Sequence, residues 1–150
     1  MDGQTICEVM LHSYKDLEER CNGLEYKTRR LCERSMHAGI HDTFTKAVSL
    51  INEKIAYCNV KVIIDKAVGK IGDSKALQDY YFKGRDVKSI ARDYGLTAPK
   101  AVELIEKQRQ CVFKAILTAY STEKLLDIIS DSRWLCNQCM AIERAKNGSD

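Results

Sequence analysis

The sequence predicts an all-α protein: a long N-terminal helical hairpin followed by a helix-turn-helix bundle. Three observations carry that prediction. The 150 residues include one proline and eight glycines, too few turn-makers for a sandwich or barrel, which turns about every 8–12 residues. Apolar residues recur at 3-4 spacing through most of the chain. Glycine, serine, threonine or aspartate stands where each periodic stretch stops. Hydrophobic residues make up 45% and charged residues 30%, a globular balance that excludes disorder as the main state. No apolar run approaches the roughly 18 residues that a membrane span needs. The opening MDGQTICEVMLHSYKDLEER has no basic stretch followed by an apolar one, so no export signal and a cytoplasmic location are expected. Seven cysteines, an odd number set within helical patterns, suit reduced thiols used as small core residues better than a disulfide framework.

Residues 6–36 carry a heptad pattern, with Met10, Leu17, Leu24 and Leu31 at one seam position and Cys7, Tyr14, Cys21 and Thr28 at the other. This helix is expected to pack on the next helix of its own chain, with self-dimerisation through residues 6–71 as the alternative. Ala38-Gly39 breaks it, and Asp42 or Thr43 is the expected cap of a second helix. That helix continues the 3-4 spacing through Phe44, Val48, Ile51, Ile55, Cys58 and Val62 to about Ile71. A short turn between two long helices makes an antiparallel hairpin, residues 1–72, the economical arrangement. His37 and His41, four apart across the glycine, read as a solvated turn.

Residues 73–120 are expected to hold three shorter elements. Residues 74–83 set Leu77, Tyr80 and Tyr81 to one side and stop at Gly84; residues 87–94 stop at Gly95. Ala98-Pro99 opens a third helix, where proline in the first turn forfeits no needed N–H. Residues 121–145 read as one final helix behind Ser121, carrying Leu125, Leu126, Ile128, Ile129 and Trp134, and residues 146–150 as a frayed tail.

Charge is concentrated in one place. The formal net charge is +3. Residues 83–114 carry Lys83, Arg85, Lys88, Arg92, Lys100, Lys107, Arg109 and Lys114 against Asp86, Asp93, Glu103 and Glu106, while the flanking segments are close to neutral. A basic stretch on a balanced chain is the footprint expected for a phosphate backbone.

The same window carries a helix-turn-helix pattern. The motif needs a small residue where the helices touch, one tolerant of left-handed φ at the turn, and an apolar residue after it. Ala91, Gly95 and Leu96 supply these at A-x-x-x-G-L spacing. The segment ALQDYYFKGRDVKSIARDYGLTAPKAVELIEKQRQCVFKAIL resembles region 4 of bacterial sigma factors, with Leu77, Tyr81, Gly84, Ile90, Ala91, Gly95, Leu96 and Thr97 in the family's places. The likeness covers residues 73–117 and extends to phage and mobile-element regulators built on the same motif. It implies a free-standing, sigma-like regulator of double-stranded DNA, with RNA polymerase as a further partner. The candidate DNA-contacting residues are Lys88, Arg92, Thr97, Lys100, Glu103, Lys107 and Arg109. Either Ala101 and Leu104 or, one residue on, Val102 and Ile105 face inward from the recognition helix. A dimer would address half-sites about 34–36 Å apart.

The family's recognition helix opens on arginine and polar residues. Here Ala98, Pro99 and Lys100 stand there, with Glu103 one turn on. Those departures favour the rival reading, a helical protein-interaction module or polymerase-binding adaptor whose helix-turn-helix does not touch DNA. Cys136 and Cys139, at C-x-x-C spacing, lack a second ligand pair and read as structural cysteines, with no metal or cofactor expected. Tyr80, Tyr81, Phe82 and Trp134 read as core. No P-loop, Gly-x-Gly-x-x-Gly, Gly-x-Ser-x-Gly or His-Glu-x-x-His motif is present, so an enzyme is not expected.

Overall fold

The computed structural model describes residues 1–34 and 39–148, which form seven α-helices and no strand. Helices α1 (Gly3–Arg34) and α2 (Ile40–Lys70) make the long hairpin. Helices α3 (Lys75–Tyr81), α4 (Val87–Tyr94) and α5 (Ala98–Ala119) follow, then α6 (Thr122–Ile129) and α7 (Arg133–Asn147).

Helix α1 starts where the Asp2 carboxylate accepts a hydrogen bond from the Thr5 N–H at 2.8 Å, satisfying one of the donors a helix start leaves open. Its first half buries a wide stripe, Ile6, Cys7, Val9, Met10 and Leu11 with Thr5 and Ser13, and leaves Gln4, His12 and Lys15 exposed on the opposite face. An amphipathic helix of this kind turns its apolar side to the core, where α3, α5, α6 and α7 pack against it. Farther along, burial narrows to Leu17 and Leu24, with Tyr14, Cys21 and Leu31 half-buried. The expected seam of α1 therefore faces inward along most of its length. One hydrophobic cluster runs through residues of all seven helices, from Ile6 to Cys139.

Helix α2 buries a different face from the one its 3-4 seam indicates. Ala56, Tyr57, Val60, Ile63, Ile64 and Ala67 are inside, while Phe44, Val48, Ile51, Ile55, Cys58 and Val62 are all exposed. The helix carries two apolar stripes. The buried one includes two alanines, which let the α5 and α6 backbones come close, and three β-branched residues that fill the space between. The start of α2 also differs from expectation. It begins at Ile40 with no side-chain cap. Asp42 lies in the first turn, where its charge suits the helix dipole, and Thr43 is buried one residue on. His41 is exposed; His37, Met36 and Ala38 lie outside the described residues.

The segment 121–145 is two helices rather than one. Ser132, fully buried, ends the run by accepting from the Leu135 N–H at 3.1 Å, so α7 starts afresh. Its hydroxyl also donates to the Tyr57 hydroxyl at 3.2 Å, and Tyr57 donates to Glu53 at 2.8 Å. Nor does the chain fray from residue 146. Lys146 stands in the last turn of α7, donating to the Thr5 hydroxyl at 3.0 Å and pairing with Glu8 at 3.5 Å. Residues 149 and 150 lie outside the described residues.

Candidate nucleic-acid interface

Helices α4 and α5 and the turn between them are built by local chemistry. Asp86 caps α4, its carboxylate accepting from the Ser89 N–H at 2.7 Å. Gly95 ends α4 in the left-handed region, at φ 64° and ψ 32°, and the Leu96 N–H closes the turn onto the Ala91 carbonyl at 2.9 Å. Thr97 then caps α5, its hydroxyl accepting from the Lys100 N–H at 3.4 Å, and Pro99 occupies the first turn. The three-residue connection Gly95-Leu96-Thr97, with Ala91 buried at the crossing, is a helix-turn-helix. A Cβ at Gly95 would meet no atom within 4 Å, so the cost of adding one is conformational alone. Gly95→Ala is expected to lower stability by about 1–2 kcal/mol, read as a lower urea midpoint with an unchanged slope.

The inward face of α5 is set by Ala101, Ile105, Gln108, Val112 and Phe113, all buried, with Leu104 half-buried. Val102 points out and is 52% exposed. Gln108 ties the bundle together, its side-chain oxygen accepting from the Leu77 N–H at the start of α3 at 2.9 Å. Outward from the start of α5 project Ala98, Pro99, Lys100, Val102, Glu103, Glu106 and Lys107, with Lys88 and Arg92 exposed on α4.

The basic residues divide into two groups. Lys88, Arg92, Lys100 and Lys107 are exposed, and no ion pair among the described residues engages them. Arg85 is used internally. It bridges α3 and α4, with Asp79 at 3.1 Å, the Ser89 hydroxyl at 2.7 Å and Asp93 at 2.5 Å. Asp79 is itself buried and also meets Lys83 at 3.3 Å.

Arg109, expected at a phosphate, is a correction. Only 23% of its side chain is exposed, and it joins Glu106 at 2.6 Å to Glu8 of α1 at 3.8 Å, over the ring of Phe113. Burial works against its charge, and Glu106 and Tyr81 more than restore it. Position 109 lies one turn from Ile105 on the side of α5 that meets α1, so its guanidinium is spent on holding the bundle. Thr97 is exposed, but its hydroxyl oxygen serves the cap, and Glu103 remains exposed among the outward cations.

Of the cysteines and aromatics expected in the core, Cys7, Cys139 and Tyr81 are buried, whereas Cys32, Cys58, Cys111 and Tyr80 are exposed. Cys139 is buried in α7, and burial first, then the neighbouring Cys136, pushes its thiol up to about 11. The Cys136 thiol donates to the Ile129 carbonyl at 3.6 Å. Among the described residues no group of three or more His, Cys, Asp or Glu converges as a metal site. Tyr81 is buried, and Phe82 stacks on Tyr14 at 3.9 Å between ring centres. Trp134 lies under the Arg20 guanidinium at 3.5 Å and edge-on to Tyr57. No described helix is long and apolar enough to cross a membrane. Comparison with protein-family models, with curated proteins and with solved structures finds no match for the chain.

Proposed function

We propose that the chain is a non-enzymatic, cytoplasmic transcription regulator that binds double-stranded DNA through a sigma region 4-like helix-turn-helix. The observation that carries this reading is the set Lys88, Arg92, Lys100 and Lys107, four exposed cations around the outward first turns of α5 that no ion pair among the described residues engages. In the proposed mode α5 enters the major groove from its capped start, and Lys88 and Arg92 of α4 take the phosphates beside it. Val102 offers apolar contact to a thymine methyl, and Glu103 accepts from cytosine N4. Arg85 and Arg109 sit behind this surface and hold its helices. RNA polymerase is the further partner of this reading, and the distal half of the hairpin, which stands beyond the core, is the docking arm.

A second reading, a protein-interaction module, draws on one observation: exposed Val102 beside exposed Glu103 makes a surface that also suits a partner helix. Selection from random duplex DNA separates the two. An enriched site whose binding is lost on changing Lys88, Arg92 and Lys100 together to alanine supports the first. No retained DNA at low salt, with a folded chain, leaves the second.

A further inference from the structure

The face of α2 that the core leaves out carries Phe44, Val48, Ile51, Ile55, Cys58 and Val62, with Phe44 67% and Ile55 51% exposed. Their 4-3-4-3-4 spacing is the seam of a coiled coil, about 27 Å long at 1.5 Å per residue. Asp65, exposed, closes it at the next seam position. A continuous exposed apolar stripe marks an interaction surface, and a narrow seven-residue repeat fits another helix. We propose that the occupant is α2 of a second copy of this chain, antiparallel, about a two-fold axis level with residue 53. In that register every stripe residue meets a stripe residue: Phe44 the partner's Val62, Val48 the partner's Cys58, and Ile51 the partner's Ile55. The interface is isologous and closes on itself.

The flanks of the stripe set the orientation. One side carries Thr45, Asn52 and Asn59. Antiparallel pairing sets Asn52 beside the partner's Asn52 and Thr45 beside the partner's Asn59, all neutral hydrogen-bonding groups. The other side carries Ala47, Lys54 and Lys61. Antiparallel pairing sets Lys61 beside the partner's Ala47 and brings Lys54 near the partner's Lys54 once, where each Lys54 already holds Glu25 of its own α1. Parallel pairing would set Lys61 against the partner's Lys66 twice over, a repulsive contact at flanking positions that steer orientation. The pairing stands apart from DNA binding and is measured without nucleic acid. It does bear on the half-site geometry: the far ends of the two α2 helices lie about 50 Å apart, which turns the two helix-turn-helix units outward rather than side by side.

The test uses the full chain in reducing buffer by sedimentation velocity from 5 to 200 µM. A monomer–dimer equilibrium in the micromolar range is expected, weakened at least tenfold by Ile55→Asp. Helicity is expected to be unchanged in that variant, because Ile55 is exposed. Orientation is read by oxidation with glutathione disulfide in a C21S background, which removes the thiol that meets Cys58 across the hairpin. C21S/V48C is expected to give an interchain disulfide between the V48C thiol and the partner's Cys58, located by peptide mass spectrometry. C21S alone is expected to give no link between two Cys58 residues. A strict monomer at 200 µM, a dimer indifferent to Ile55→Asp, or a Cys58-to-Cys58 link overturns the proposal.

Discussion

Raising salt from 50 to 200 mM is expected to weaken duplex binding about 150-fold. The figure follows from counterion release. Each neutralised phosphate contributes about −0.9 to the slope of log affinity against log salt, and four cations on the proposed surface, Lys88, Arg92, Lys100 and Lys107, are exposed and engaged by no ion pair among the described residues. Four contacts give a slope near −3.6, and a fourfold rise in salt then removes roughly two decades of affinity. Changing Lys88, Arg92 and Lys100 to alanine leaves one contact and a loss of only about 3.5-fold over the same interval. Arg109→Gln is the informative control. Its guanidinium joins Glu106 to Glu8 inside the bundle, so the slope stays where it was as long as the variant is folded. Fluorescence anisotropy on a labelled duplex measures all three. A flat titration of the unchanged protein would remove the phosphate reading, and a slope that falls with Arg109→Gln would return Arg109 to the interface.

What the sequence made legible is what local chemistry builds. The turn at Gly95, the cap at Ser121, and Pro99 in the first turn of α5 each depend on residues within four positions, so their types and spacing suffice. The seam of α1 was legible because one side of that helix is consistently apolar. Helix α2 was not, because it carries two apolar stripes and only the rest of the fold decides which is covered. The break at Ser132 was hidden because Ile128 and Leu135 stand seven apart across it, in phase on one helical face; the buried hydroxyl's bond to Tyr57, 75 positions away, is visible only in three dimensions. The candidate interface divides in the same way. Lys88, Arg92, Lys100 and Lys107 stand where a basic helix-turn-helix window places them. Arg85 and Arg109 carry the same charge in the same window, but Asp79, Asp93 and Glu8 claim them. No pattern within the window announces an acid on α1.

Ile90→Ala is expected to lower stability by about 3 kcal/mol, with Ile90→Val costing about 1 kcal/mol. Ile90 is fully buried, and in the eight residues of α4 only Ile90 and Ala91 are inside. A helix of that length does not persist in water on its own, so its place depends on the contacts Ile90 makes with the core, helped by the Arg85 bridge from α3. Truncation to alanine removes those contacts and leaves a cavity between elements already held by other residues. Part of the loss is then local. Amides of α4 and the first turns of α5 are expected to exchange faster, while those in the first half of α1, whose wide apolar stripe packs against four shorter helices, keep their protection. For a chain of this size a loss of 3 kcal/mol lowers the melting temperature by roughly 6–12 °C. Duplex binding should fall in step with the fraction of open α4, and the salt slope of what remains should be unchanged, because no phosphate-facing cation is touched. A melting temperature within 2 °C of the unchanged protein, or exchange that rises equally in α1 and α4, would show that α4 is held by something other than Ile90.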